Sequence, residues 1–408
     1  MALLFTYTVR LFEQFIIQKI INEENNFSNE ILSLKILRKR GLDGLFEKRL
    51  NKMEDQPMVQ GSQFHLNNYL LKTEINQYFS QFPSPENHKY LIEKQKQLDL
   101  FLMTEKLKDA CEMYLRHQIL KVPFELNFIE TILIEFEKKE AFYEKIPTIS
   151  IYYNIYKLLI NKELSQYQTV LAQLKVHEQS LPKSELENIY NYLQNFCIQK
   201  INQGNQHFLT ELFKIYQSQL TKELLFRSGY LPEFHYKNIV TTGLREQAHE
   251  WVYEFIEKYK PKLNPITAEN AYSYNLANYY YFTKQYEKVL ELLIRVEYTD
   301  VRYSLDAKTL LLRTYFELEE GEALLSLSDA FRQYLKRNRQ VSEVNRKGYL
   351  NLLKFAKKVF QLKTNANYWL KEKLKKECKK VEMEIQASDL IFNQSWLMEK
   401  FAAINSLK

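Results

Sequence analysis

Glycine and proline are scarce in this chain of 408 residues, which contains eight Gly and nine Pro. Together they make up 17 of 408 residues, near 4%, where average usage gives roughly 12%. β-Sandwiches, barrels and Rossmann folds need many tight turns, and tight turns depend on these two residues. The composition therefore predicts an all-α protein.

Cysteine is also rare. The three cysteines, Cys111, Cys197 and Cys378, lie far apart and form no CxxC pair. This spacing indicates a reducing compartment, and we expect a cytoplasmic protein in which each cysteine is a small apolar core residue.

Motifs that carry chemistry are missing. The sequence contains no GxGxxG, GxxxxGK[ST], GxSxG or HExxH, and no two of its seven histidines are three to five residues apart. A metal site built on two histidines of one helix is therefore excluded. We predict no bound metal, no cofactor and no enzymatic activity. An active site assembled from distant residues would escape this search, so an enzyme stays as the third alternative.

One helix stripe gathers charged residues, namely Glu105, Asp109, Glu112 and Arg116. Paired carboxylates could perform acid–base chemistry. The same spacing also suits a solvated helix face in which Glu112 and Arg116 form an i,i+4 ion pair, and we favour that interpretation.

The sequence of residues 1–85 predicts helices but no repeat. The chain begins with an apolar stretch that Arg10, Glu13 and Lys19 interrupt, so no apolar run approaches the 18 residues of a membrane span. The pattern predicts an amphipathic helix. Its abrupt start without a cap raises the possibility of missing upstream sequence, and its apolar side would pack on a missing neighbour or on a second copy of the chain.

Helical periodicity continues along the rest of the chain with breaks at short intervals. Ser84 before Pro85 is a predicted N-cap, and Ser184 to Glu187 reads as a capping box. Gly204, Gly243 and Gly321 are predicted to lie at turns between paired helices. Segments of 12 to 20 residues separated by short gaps indicate stacked helical hairpins.

A repeat appears between residues 270 and 304. Apolar or small residues fall at offsets 7, 8, 11, 17, 20 and 24 of this unit, namely Leu276, Ala277, Tyr280, Tyr286, Val289 and Leu293. Shorter matches occur from about residues 229 and 305. The pattern resembles the tetratricopeptide (TPR) repeat, although Ser273 and Val301 stand where that repeat has Trp and Pro. The stretch 99–116 also resembles uncharacterised helical-repeat proteins of Bacteroidota-type bacteria.

The resemblance implies an α-solenoid of antiparallel TPR-like hairpins wound into a right-handed superhelix. We divide the chain into an N-terminal helical segment (1–85), irregular hairpins (86–228), TPR-like repeats (229–340) and basic capping helices (341–408). The first helices of TPR hairpins line a concave face, which implies a non-catalytic scaffold that binds a protein or peptide. Three residues are candidates for partner contact on that face: Asn275, Asn278 and Arg313.

The basic residues concentrate near the C-terminus. The whole chain carries 57 Lys and Arg against 50 Asp and Glu, a net charge of +7. Residues 336–408 alone hold 17 basic and 7 acidic residues. Five lysines there are candidates for polyanion binding: Lys371, Lys375, Lys376, Lys379 and Lys380. The alternative functions of this face are nucleic-acid binding, contact with a membrane surface or a protein, and the solubilising outer face of a capping helix, which we favour. Opposite the lysines, Leu370, Leu374, Cys378, Val381 and Ile385 form an apolar stripe.

Overall fold

The computed structural model describes residues 2–24, 26–54, 61–82, 84–294 and 301–406. Within these ranges the chain forms 20 α-helices and three short 3-10 turns, and no β-strand. The predicted all-α class is therefore confirmed. The helices fall into two compact units that divide after Phe208.

The first unit contains ten helices. They are α1 (Ala2–Glu24), α2 (Asn26–Lys39), α3 (Asp43–Glu54), α4 (Ser62–Phe79), α5 (His88–Leu120), α6 (Ile129–Lys138), α7 (Glu140–Tyr143), α8 (Pro147–Asn161), α9 (Leu164–His177) and α10 (Lys183–Asn202). Helices α2, α3 and α4 enclose a small core around Leu34, Phe46 and Ile75, all of them completely buried. Helix α5 packs on both α4 and α8, and α8 packs on α9.

The second unit contains α11, whose first two residues precede the division, and nine further helices. They are α11 (His207–Thr221), α12 (Glu233–Arg245), α13 (His249–Tyr259), α14 (Ala268–Phe282), α15 (Tyr286–Ile294), α16 (Val301–Glu317), α17 (Gly321–Arg337), α18 (Glu343–Asn365), α19 (Lys371–Gln386) and α20 (Gln394–Ser406). A large apolar core joins α16 to α20 around Phe331, Leu352 and Leu397.

Neighbouring helices of the second unit pack in a regular order. Helix α12 contacts α13, α14 contacts α15, and α16 contacts α17, so each of these pairs is adjacent in space as well as in sequence. The first members of the pairs also touch in succession, α12 with α14 and α14 with α16. Four of the predicted repeat positions, Leu276, Ala277, Val289 and Leu293, are buried in this packing. The predicted segment boundaries near residues 85, 228 and 340 each fall between helices.

Gly243 is not at a turn, contrary to the prediction. It lies inside α12, where a Cβ atom would come within 2.5 Å of the Val252 side chain on α13. The residue is glycine because the two helices approach too closely there for a side chain. The turn that follows places Gln247 in the left-handed region instead, with φ of 61°.

The two predicted N-terminal caps have different outcomes. The Ser84 side chain accepts a hydrogen bond from the backbone N–H of Glu86, as a cap does, at 3.3 Å. The capping box at Ser184 is wrong, because α10 begins one residue earlier, at Lys183, and has no side-chain cap. Glu185 is buried there and bonds to other helices.

Candidate functional site

The two asparagines predicted to contact a partner lie inside the packing of α14. Asn275 is completely buried, and its Nδ2 donates to the carbonyl oxygen of Ala271 at 2.8 Å. Its Oδ1 has no hydrogen-bond partner among the described residues. Asn278 is also buried. Both side chains belong to the helix packing, since α14 contacts α12, α13, α15 and α16.

Arg313, on α16, is half-buried between two aromatic rings. Its guanidinium carbon lies 4.3 Å from the centre of the Tyr281 ring and 5.7 Å from that of Trp396. The neighbouring Glu317 carboxylate accepts hydrogen bonds from the Tyr281 hydroxyl at 3.1 Å and the Trp396 indole nitrogen at 3.3 Å. Burial raises the pKa of Tyr281 above its ordinary value, so the phenol stays a hydrogen-bond donor. This cluster joins α14, α16 and α20 and leaves only part of Arg313 for a partner.

The five candidate lysines of α19 are exposed on one side of the helix. Lys375, Lys376, Lys379 and Lys380 have no ion-pair partner among the described residues. The opposite side of α19 is buried through Leu374, Cys378, Val381 and Ile385, which confirms four positions of the predicted apolar stripe.

Leu370 was expected in that stripe and does not belong to it. It precedes the first residue of α19, outside the helix, and is 82% exposed.

Helix α1 exposes a long series of apolar side chains. Every side chain from residue 4 to residue 19 is exposed. Nine of them are large and apolar: Leu4, Phe5, Tyr7, Val9, Leu11, Phe12, Phe15, Ile16 and Ile17. Helix α1 packs on α2, yet this contact leaves Phe5, Phe12 and Phe15 between 62% and 73% exposed. Soluble proteins rarely leave so continuous an apolar patch uncovered unless something binds it.

A buried polar cluster in the first unit was not predicted. The Glu185 carboxylate accepts hydrogen bonds from Lys108 Nζ at 2.8 Å and from the Tyr152 hydroxyl, and so links α10 to α5 and α8. Burial works against the charge on Lys108, but the hydrogen bonds and charges of Glu185 and Glu105 together outweigh it and raise the pKa of the lysine. Burial next to Glu185 raises the pKa of Tyr152 far above its ordinary value. The cluster therefore contains an ion pair and a neutral phenol, and both hold α10 against α5 and α8.

Residues that suggested chemistry in the sequence have ordinary surroundings. Glu112 and Arg116 form the expected ion pair at the surface. The three cysteines are buried and form no disulfide, and burial raises the pKa of Cys111 so that its thiol stays protonated. None of the described helices is both long and apolar enough to cross a membrane.

We compared the chain with known proteins. No protein-family model, curated protein or solved structure matches it.

Proposed function

We propose that this chain is a non-catalytic scaffold that binds another protein, built from TPR-like hairpins stacked into a right-handed superhelix and acting in the cytoplasm. The stacking is supported by the successive contacts of α12, α14 and α16 and by the buried repeat positions around Leu276 and Val289. The partner surface that we favour is α1, because Asn275 and Asn278 are buried.

The observation that carries this proposal is the uncovered apolar face of α1. A Phe or Leu side chain contributes roughly 1.5–3 kcal/mol when it leaves water, whereas association costs roughly 4–15 kcal/mol. The nine exposed apolar side chains of α1 therefore suffice to hold a partner once most of them are covered. Aromatic residues are enriched at the centres of such interfaces, and three of the nine are phenylalanines.

The charges of α1 favour a protein over a lipid surface. Helices that lie on membranes carry a polar face rich in Lys and Arg. The described polar side chains of α1 combine the cations Arg10 and Lys19 with Glu13 and Gln14. Anionic lipid gains little from such a mixed face, while a protein groove can accommodate it.

Co-purification with a reconstitution step tests the proposal. Proteins captured from the source organism by the wild-type chain are compared with those captured by Phe12→Ser, and each candidate is purified and titrated against both chains. We expect one partner that binds the wild type directly and binds the variant at least tenfold more weakly. Equal binding to both chains, or no direct binding by any captured protein, would contradict the proposal.

A second candidate function is nucleic-acid binding by the lysine face of α19. The observation that favours it is the set of exposed lysines without described ion-pair partners, Lys375, Lys376, Lys379 and Lys380. Binding through such a face weakens steeply with salt, and the slope falls as lysines are removed. Filter binding of single-stranded RNA at low salt tests this function. Absence of retention would reject it.

A further inference from the structure

A cavity of about 960 Å³ in the second unit is lined by cations and by no acidic side chain among the described residues. It lies between the start of α16, the end of α17 and the connection to α18. The cations are Lys308, Arg337 and Arg339, and the amide side chains of Gln333, Asn338 and Gln340 lie beside them. An apolar wall of Val301, Leu327 and Ala330 completes the lining.

Lys308 is the unusual member of this group. Two other partly buried lysines of the same unit, Lys357 and Lys400, each have a carboxylate partner. Lys357 Nζ lies 2.8 Å from Asp329 Oδ1, and Lys400 Nζ lies 2.8 Å from Glu317 Oε1. Lys308 is half-buried in the middle of α16 and has no ion-pair partner among the described residues. A cation that is withdrawn from water without a counter-charge is costly, and burial lowers the pKa of Lys308 accordingly.

The position of one arginine of the cavity has a simpler explanation than ligand binding. Arg337 belongs to the last turn of α17, where cations are favoured by the helix dipole. That explanation does not extend to Lys308, which is the eighth residue of α16 and lines the same cavity. The guanidinium groups are exposed and free to turn towards a ligand.

Tyr334 adds a further polar group. Its ring centre lies 5.0 Å from Lys308 Nζ, which fixes the lysine near the cavity wall. Its hydroxyl oxygen accepts a hydrogen bond from Asn338 Nδ2 at 3.1 Å. The hydroxyl hydrogen has no acceptor in the described part of the chain, so it can be donated to a bound anion.

We propose that this cavity binds a small phosphorylated organic molecule, with its phosphate groups at Lys308, Arg337 and Arg339 and its organic part against Val301, Leu327 and Ala330. Arginine pairs with phosphate through two parallel hydrogen bonds, and lysine serves as a point charge. The apolar wall distinguishes such a ligand from a free inorganic anion. The site is separate from α1 and does not depend on the proposed scaffold function.

Calorimetric titration with two probes, inorganic pyrophosphate and ADP, tests the proposal on the full chain. Hydrogen bonds to charged groups are stronger than neutral ones, so we expect Lys308→Met to weaken both probes about tenfold or more. The matched control is Lys336→Ala, which removes an exposed charge from the same turn of α17 outside the cavity lining. We expect its affinities to stay within about twofold of the wild type.

A second variant keeps the test decisive if Lys308→Met fails to fold. Arg339→Ala changes an exposed residue after the end of α17, and we expect it to weaken pyrophosphate by at least about fivefold with an unchanged melting curve. ADP binding at least as tight as that of pyrophosphate supports the apolar wall as part of the site. Binding of pyrophosphate alone would refute the organic-ligand assignment. Binding of neither probe, or equal weakening by Lys336→Ala, would overturn the proposal.

Discussion

Helices α1 and α14 distribute polar and apolar residues in opposite ways. Helix α1 exposes all nine of its large apolar side chains between residues 4 and 17, whereas α14 buries two asparagines within the packing of its neighbours. Both helices have a helical period in their sequences, so the period alone does not determine which side chains are buried. The number of neighbouring helices does, because α14 contacts four other helices and α1 packs on α2.

The first test of this contrast places a charge in α14. Asn275→Asp adds a carboxylate at a position with no exposure, and we expect a loss of about 4 kcal/mol of unfolding free energy at neutral pH. The loss should shrink as pH falls, because the protonated acid is neutral. Denaturant titration at several pH values measures it.

The control for this test is Asn345→Asp, at an exposed position in the first turn of α18. A carboxylate near a helix N-terminus is favourable, so we expect no loss there. Equal destabilisation by the two variants would show that Asn275 is not enclosed.

A second test extends the comparison to the buried ion pair of the first unit. Lys108→Met leaves the buried Glu185 carboxylate without its cation, and we expect a loss of about 3 kcal/mol. The pKa of Lys108 is raised from 10.5, so its contribution is fully present below the unfolded pKa and is lost as pH rises through the higher folded value. The gap between wild type and variant should therefore stay constant to about pH 10 and narrow above it.

Lys145→Met is the matched control, because Lys145 is exposed in the same unit. We expect a change within about 0.5 kcal/mol. A gap for Lys108→Met that did not narrow at alkaline pH would contradict the ion-pair explanation.

The third test concerns the close contact between α12 and α13. Gly243→Ala places a Cβ atom 2.5 Å from Val252 Cγ2, and overpacking of this kind costs about 1–3 kcal/mol. Gly44→Ala has open space around the added carbon, and we expect no loss or a gain of about 0.5 kcal/mol. Thermal melts of the two variants measure the difference. An equal loss of stability in Gly243→Ala and Gly44→Ala would contradict the packing explanation.

The smallest expected effect on stability is in α1. Phe12→Ser removes a ring that is 62% exposed, so we expect a change within about 0.5 kcal/mol. The same change at Phe316, which is 1% exposed, should cost about 3–5 kcal/mol. Chemical denaturation of both variants measures the difference. A large loss for Phe12→Ser would show that α1 is packed within the chain.

Much of the fold could be predicted from the sequence. Scarce glycine and proline excluded turn-rich folds, and the helical period correctly located the apolar stripe of α19 from Leu374 to Ile385. The spacing around Leu276 and Val289 correctly identified residues that are buried.

The candidate sites were harder to predict because they depend on contacts between distant residues. Glu185 lies inside the predicted capping box of Ser184 and Glu187, yet its carboxylate bonds to Lys108, 77 residues away. The side chain of Asn275 can donate and accept hydrogen bonds, as a binding residue does. Only the packing of the helices around α14 shows that it is enclosed. Lys308 has no local sequence feature that sets it apart from the many other lysines.

Photo-crosslinking in living cells at position 12 tests the central claim, that a protein covers α1, most directly. The photoreactive residue p-benzoylphenylalanine replaces Phe12 in one chain and the exposed Tyr368 in a control chain. We predict a discrete protein adduct from position 12 and none of that mass from position 368. Adducts that form only with lipid, or no protein adduct at position 12, would contradict the account.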